Sequence, residues 1–204
     1  FPTVDGTVTV PDNVWFHRCN NNSWFWFTYI DDMSIAYTGG GTPISHSGNK
    51  SVVIYTAANA DAAKYSSHAN NLEHLQGVAQ RLSLDDSKKY KLQFFYYRPN
   101  LVWGTTDVAA NINHAEKIVV GIVSSTEANV NTDYTYEEVI TLEKTEGWKE
   151  YNITFDLPDI IQKNPGKSFE KCAIFFNIVP EIDSAQKTLK TLVNLDDISL
   201  TETK

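Results

Sequence analysis

The sequence lacks the features that mark membrane-spanning and nucleic-acid-binding proteins. Its 204 residues include one Met and two Cys, and 17 basic residues face 25 acidic ones, giving a net charge of −8. This acidic balance argues against a nucleic acid or an anionic membrane surface as the partner. No apolar run approaches the length of a membrane span, and no basic segment followed by an apolar stretch opens the chain. The start at Phe1 is what removal of a signal peptide from a longer chain would leave.

The motifs of several common catalytic sites are also missing. There is no Gly-x-Ser-x-Gly elbow, no P-loop and no His-Glu-x-x-His, and the five histidines show no paired spacing of metal ligands. Adjacent acidic residues occur, but neighbours on a strand face opposite ways. No such pair alone supplies two carboxyls flanking a glycosidic bond at about 5–10 Å. The acidic pairs are therefore interpreted as solvated turns and strand faces.

The two cysteines, Cys19 and Cys172, leave two alternatives open. Neither belongs to a Cys-x-x-Cys metal motif. They form a disulfide if the strands that carry them are neighbours, and otherwise they are two buried free thiols.

Short segments of alternating or β-branched residues, separated by turn-forming residues, recur along the chain. They cover residues 15–16, 24–30, 51–56, 77–84, 90–98, 117–124, 136–142, 151–155, 172–179 and 193–200. No helical period is sustained, and no linker or repeat divides the chain. This pattern predicts one all-β sandwich domain over residues 1–204. Two long surface loops, residues 57–76 and 99–113, interrupt the strands, and such loops usually carry function.

The faces of two strands can be assigned from the alternation of side chains. In residues 90–98, Leu92, Phe94 and Tyr96 share one face. In the last strand, VNLDDISL, Ile198 and Leu200 share a face with Asp196, so Asp196 is predicted to point inward with them. A buried carboxylate needs a partner, and backbone N–H groups and a metal ion are equally good candidates.

Three stretches resemble the jelly-roll carbohydrate-binding modules of the galactose-binding-like type. VNLDDISL (Val193–Leu200) is similar to their closing strand, SGNKSVVI (Ser47–Ile54) to a strand entry, and GWKEYNITFDLP (Gly147–Pro158) to their Gly-Trp-x-x-Tyr segment. The resemblance runs from about Asn13 to the end of the chain. The Asn-Gly-Asp-Phe-Glu opening common in such modules is replaced by PDNVWFHRCNNNSWF (Pro11–Phe25).

The resemblance implies a jelly-roll β-sandwich and a structural Ca²⁺ ion. Related modules hold such an ion with a carboxylate from the final strand, which here is Asp196. Backbone oxygens of residues 47–51 would complete the site, and oxygen-only ligation suits Ca²⁺. Because the opening differs, the N-terminal side of this metal site departs from the family pattern.

Aromatic residues make up 12% of the chain, and flat rings bind the apolar face of a pyranose while polar groups satisfy its hydroxyls. The ligand-binding candidates are Trp103 and Tyr65 on the two loops, Trp24 and Trp26 on an aromatic strand, and Tyr97 and Arg98 at a strand end. Packing against the protein is the alternative for each, and is favoured for Tyr65, Trp24 and Trp26. Trp148 matches a strand-entry residue of the resembling modules and is interpreted as structural.

The sequence thus predicts a non-catalytic carbohydrate-binding module of a secreted or cell-surface protein, belonging to a larger multidomain chain. The partner is a polysaccharide or oligosaccharide, with a neutral glucan such as starch or β-glucan favoured over xylan. An adhesin or structural spacer module, and a β-sandwich polysaccharide hydrolase or lyase, are the alternatives.

Overall fold

The computed structural model describes ten strands and one short helix in residues 15–18, 45–48, 51–56, 77–98, 112–124, 135–179, 181, 184–185 and 190–203. The strands are β1 Trp15–Arg18, β2 Val52–Thr56, β3 Gly77–Leu82, β4 Lys89–Tyr97, β5 Ile112–His114, β6 Lys117–Val123, β7 Tyr136–Thr141, β8 Lys149–Asp156, β9 Cys172–Val179 and β10 Lys190–Thr203. The helix α1, Leu157–Lys163, directly follows β8.

The strands form two sheets that pack face to face. β1, β3, β9, β6 and β7 lie in this order in the first sheet, and β2, β10, β4 and β8 in the second. Neighbouring strands are antiparallel, whereas β5 pairs in parallel with the start of β10. Successive strands pass repeatedly from one sheet to the other, as in a jelly roll. The predicted all-β jelly-roll sandwich is confirmed.

The core lies between the two sheets and follows the alternation of side chains. On β4, Leu92, Phe94 and Tyr96 are buried, as the sequence predicts. The Phe94 ring meets Phe176 of β9 edge-on, with the ring centroids 5.0 Å apart. Fully burying one such side chain stabilises the fold by about 1.5–3 kcal/mol. The residues of β4 that alternate with these, including Phe95 and Tyr97, therefore point away from the core. The face of the second sheet on which they lie is called here the outer face.

The prediction that Asp196 points inward with Ile198 and Leu200 is wrong. A β-bulge shifts the register of β10 against β4 between Asp196 and Ser199. Asp197 is the extra residue of the bulge, and its φ is positive at 46°. Val193 and Leu195 are fully buried before the bulge, and Ile198 and Leu200 pack against the same core after it. Because one additional residue inverts the alternation, Asp196 lies on the outer face.

Two short elements also depart from the prediction. β5, Ile112–His114, begins inside the range predicted to be a loop. The helix α1 was not predicted, because its seven residues are too few to show a helical period in the sequence. Its N-cap is Asp156, which accepts a hydrogen bond from the Asp159 N–H at 3.3 Å, and its inner side is buried. No helix in the described part of the chain is long and apolar enough to span a membrane.

Candidate functional site

Several long segments outside the described ranges begin or end at the same end of the sandwich. This end, called here the loop end, is defined by the strand register. Arg18 pairs with Gly77, Thr56 with Thr191, and Tyr97 with Asn194. Segments 19–44, 57–76 and 99–111 therefore each begin at the loop end, and the last two also return to it at Gly77 and at Ile112, which pairs with Lys190.

Arg98 ties the two sheets together at the loop end. Its side chain is only 10% exposed, and its Nη1 donates to the carbonyl oxygen of Leu142 at 3.0 Å. Its Nη2 lies 3.8 Å from a carboxylate oxygen of Glu181, and its own carbonyl oxygen accepts the Thr145 N–H at 2.7 Å. Burial raises the pKa of Glu181, and the Arg98 charge opposes that rise. These contacts favour a structural role for Arg98, which the sequence proposes as a ligand contact.

Tyr97 and Trp148 form an aromatic pair on the outer face at the loop end. Their ring centroids are 5.6 Å apart with a tilt of 35°, and both residues are partly exposed. Tyr97 ends β4, and Trp148 directly precedes Lys149, which pairs with Tyr96. The register of β4 against β8 therefore brings together a predicted ligand residue and a residue interpreted as structural.

Two further rings extend this pair along the outer face. The His46 ring stacks on Phe95 with centroids 3.7 Å apart and nearly parallel planes. It also meets Trp148 edge-on at 6.1 Å. His46, Phe95, Tyr97 and Trp148 are called here the outer aromatic cluster.

Two adjacent carboxylates hold the turn that carries His46. Asp196 Oδ2 accepts the backbone N–H groups of His46 and Ser47 at 2.7 and 3.3 Å. Asp197 accepts the Ser47 hydroxyl at 2.5 Å and contacts His46 Nδ1 at 2.6 Å. These two hydrogen bonds, that of the hydroxyl first, lower the pKa of Asp197 because they stabilise its charged form. The bulge of β10 thus anchors residues 45–48 over Phe95.

The groups that contact Asp196 differ from the oxygen ligands predicted for calcium. Asp196, Asp197 and the Ser47 hydroxyl offer the oxygen atoms that Ca²⁺ prefers. The Asp196 carboxylate, however, accepts hydrogen bonds from the N–H groups of His46, Ser47 and Asp197, and N–H groups cannot ligate a cation. Among the described residues no group of three or more His, Cys, Asp or Glu side chains is arranged to hold a metal ion. The calcium site stays a prediction.

Asn194 is a buried amide beside the outer aromatic cluster. It lies between Val193 and Leu195, which face the core, and it pairs in register with Tyr97. It is 4% exposed, and its Oδ1 has no hydrogen-bond partner among the described residues. The amide therefore points to the outer face beside the Tyr97 ring, in a place where polar groups normally have partners.

Some of the predicted site residues lie outside the described ranges, and the structure identifies site residues that the sequence did not. Trp24, Trp26, Tyr65 and Trp103 lie outside those ranges, so their predicted roles stay predictions. His46 and Asn194 were not predicted from the sequence. Only the Ser47–Ile54 stretch next to His46 drew attention to that turn, and an Asn between two buried apolar residues is the one signal for Asn194.

No protein-family model matches the sequence, and no curated protein matches it. Among solved structures, the chain is similar to CBM4, with 16% identity over 93% of this chain and 86% of that one, at a TM-score of 0.46. It is also similar to CBM28, a carbohydrate-binding module specific for non-crystalline cellulose, with 12% identity over 79% and 81% of the chains and a TM-score of 0.43. A third similar structure is the K3 cleaved adhesin domain of Lys-gingipain from Porphyromonas gingivalis, with 15% identity over 76% and 75% and a TM-score of 0.39. The solved structures that this chain is similar to thus include carbohydrate-binding modules and an adhesin domain.

Proposed function

We propose that this chain is a non-catalytic carbohydrate-binding module that attaches a larger secreted or cell-surface protein to a polysaccharide. The observation that supports this most directly is the ring pair of Tyr97 and Trp148. The two rings are partly exposed and lie at the ends of two paired strands, so little conformational entropy is lost when a sugar stacks on them. The apolar C–H face of a pyranose fits such a surface, and polar groups nearby can satisfy its hydroxyls.

The charges around the outer aromatic cluster favour an uncharged glycan. Glu150 of β8 and Asp196 of β10 are the cross-strand neighbours of Phe95, and Asp197 follows directly. The whole chain carries a net charge of −8. Polysaccharides rich in uronic acid or sulfate would be repelled by this surface, whereas starch, β-glucan and xylan carry no charge that opposes it. A neutral glucan is the preferred ligand in this proposal.

The two adjacent carboxylates of β10 beside the outer aromatic cluster support a binding role rather than hydrolysis. Asp196 and Asp197 are committed to hydrogen bonds with residues 46 and 47, where they hold the protein's own turn. A glycosidase instead presents one carboxyl as an acid and a second as a base or nucleophile on either side of the scissile bond.

Calorimetric titration with maltohexaose, cellohexaose and xylohexaose tests the proposal. Trp148→Ala should weaken binding of the preferred hexasaccharide by about 30-fold or more, the scale of a binding hot spot of about 2 kcal/mol. Trp148→Phe keeps a flat ring and should retain most of the affinity. Thr201→Ala, an exposed change further along the same face, is the control and should bind like the parent.

The same measurement examines the loop candidate from the sequence. Trp103→Ala should also cost about 2 kcal/mol of binding free energy if the ring stacks on the sugar, with the melting temperature nearly unchanged.

Absence of binding to every glycan would favour an adhesin or spacer module, and release of reducing ends from soluble polysaccharide would reveal an enzyme.

A further inference from the structure

Asn194 combines two features that a purely structural role does not explain. Its neighbours Val193 and Leu195 are fully buried in the core, so the amide is forced to the outer face. There it is only 4% exposed, yet its Oδ1 has no hydrogen-bond partner among the described residues. A buried acceptor without a partner destabilises a fold, and an apolar residue of the same size would avoid that cost.

The position of the amide ties it to the ring pair. Asn194 and Tyr97 are direct cross-strand neighbours, and directly opposed residues on one face of an antiparallel pair have Cβ atoms about 4.5–5.5 Å apart. Tyr97 in turn contacts Trp148. An aromatic surface and a polar acceptor therefore lie side by side at the loop end. This is the combination that orients a sugar ring, because stacking alone does not distinguish one hydroxyl pattern from another.

We infer that Asn194 is the specificity-determining residue of the glycan site, and that its Oδ1 accepts a hydrogen bond from one hydroxyl of a neutral sugar stacked on Tyr97 and Trp148. The inference rests on the proposed function and adds to it the atom that selects the ligand. A hydroxyl suits this place because it can donate to the amide oxygen and still accept from another group. A site built around such a bond rejects the analogue that lacks the hydroxyl.

The test compares Asn194→Leu, which keeps the branching of the side chain and removes its polar atoms, with the parent. Binding is titrated with cellotriose or maltotriose, whichever the parent prefers, and with its monodeoxy derivatives. The parent should lose about tenfold or more in affinity for one particular deoxy derivative. Asn194→Leu should bind the complete trisaccharide about tenfold more weakly and should no longer distinguish it from that one derivative, while its preferences at the other positions stay as in the parent.

Three results would overturn the inference. Asn194→Leu binding as tightly as the parent would show that the amide serves only the fold. Weaker binding with an unchanged deoxy profile would show an indirect effect on the rings. If Trp148→Ala loses binding and Asn194→Leu does not, the proposed function stands and only this inference fails, whereas a parent that binds no glycan removes both. Should Asn194→Leu fail to fold, Asn194→Val, which suits a strand and has no polar side-chain atom, replaces it with the same criteria.

Discussion

Arg98 and Leu142 are joined across the two sheets at the loop end. The guanidinium Nη1 of Arg98, just past β4, donates to the carbonyl oxygen of Leu142, just past β7, at 3.0 Å. Both residues are buried, and the Thr145 N–H donates back to the Arg98 carbonyl at 2.7 Å. The connection between β7 and β8, which ends in Trp148, is therefore fastened to the end of β4, which carries Tyr97.

Arg98→Ala should lower the free energy of unfolding by about 2–4 kcal/mol, because it leaves the Leu142 carbonyl and the half-buried Glu181 carboxylate without their cation. Urea unfolding measures this. Lys149→Ala is the matched control, since it removes a basic residue whose ion pair with Glu143 is exposed and should leave the urea midpoint nearly unchanged. Unchanged stability together with weakened glycan binding would instead return Arg98 to the ligand role predicted from the sequence.

Asp156 should make stability depend on pH in the acid range. The Lys89 ammonium lies 2.5 Å from it, and this hydrogen bond is the main reason that the pKa of Asp156 is lowered. A lowered pKa means that the stabilisation is complete above the unfolded value of about 3.9 and is lost as the pH falls through the lower, folded value. Asp156→Asn preserves the N-cap of α1, since Asn and Asp cap equally well.

The measurement is the melting temperature of parent and Asp156→Asn between about pH 6 and pH 2. The difference between them should be largest near neutral pH. It should shrink as the pH falls below about 4, first because the unfolded chain takes up the proton and then because the folded carboxylate does so at its lowered pKa. Other carboxylates cancel in the comparison. Because the pair is exposed, high salt should also reduce the difference. A difference that is constant over the whole pH range would contradict the role of the charge.

The alternation of side chains was sufficient to predict the regular part of the fold. On β4 the residues predicted to share a face do so, because nothing interrupts the pleat there. On β10 the same rule failed at Asp197, whose φ of 46° accommodates one extra residue. Asp tolerates this backbone region better than most residues, but its presence alone does not announce a bulge, and the direction of Asp196 was therefore assigned to the wrong face.

The candidate site could be predicted only in part, since it depends on contacts between distant residues. Tyr97 was identified as a strand-end aromatic, and Trp148 was interpreted from its strand-entry position. Their contact follows from the pairing of Tyr96 with Lys149, which no local pattern specifies. His46 and Asp197 meet across 151 positions of sequence. Local propensity carries no information about such pairs, whereas hydrophobic alternation reports directly on which face is buried.

Cys172 should be an unreactive thiol in the folded protein. It is a free cysteine, and burial raises its pKa to about 12, so almost no thiolate is present near neutral pH. We also predict that Cys172 forms no disulfide with Cys19, because the described residue before Cys19 lies far from Cys172. Cys172 pairs with Leu82 and Arg18 pairs with Gly77, and these two positions lie at opposite ends of β3, about 17 Å apart at 3.4 Å per residue. A disulfide needs Cα atoms within about 7 Å.

Titration with Ellman's reagent at about pH 8 checks both statements. In the Cys19→Ser variant, Cys172 should react negligibly while the protein is folded and completely after unfolding in urea. The unreduced parent should release two thiols when unfolded. A parent that releases none without a reductant contains the disulfide, and fast reaction of folded Cys19→Ser would show that the thiol is accessible.

We propose, from the resemblance of the final strand, that Asp196 takes part in a structural Ca²⁺ site. An ion that binds only the folded state stabilises it by mass action, by about 2.7 kcal/mol when calcium exceeds its dissociation constant 100-fold. The melting temperature should therefore rise between a chelator and about 1 mM calcium. Asp196→Asn should abolish the response, and magnesium, which demands smaller octahedral sites, should produce less of it. Asp197→Asn tests whether the neighbouring carboxylate contributes. If calcium leaves the parent unchanged while Asp196→Asn still lowers its melting temperature, Asp196 serves only to accept the hydrogen bonds from His46, Ser47 and Asp197, because those bonds form without calcium.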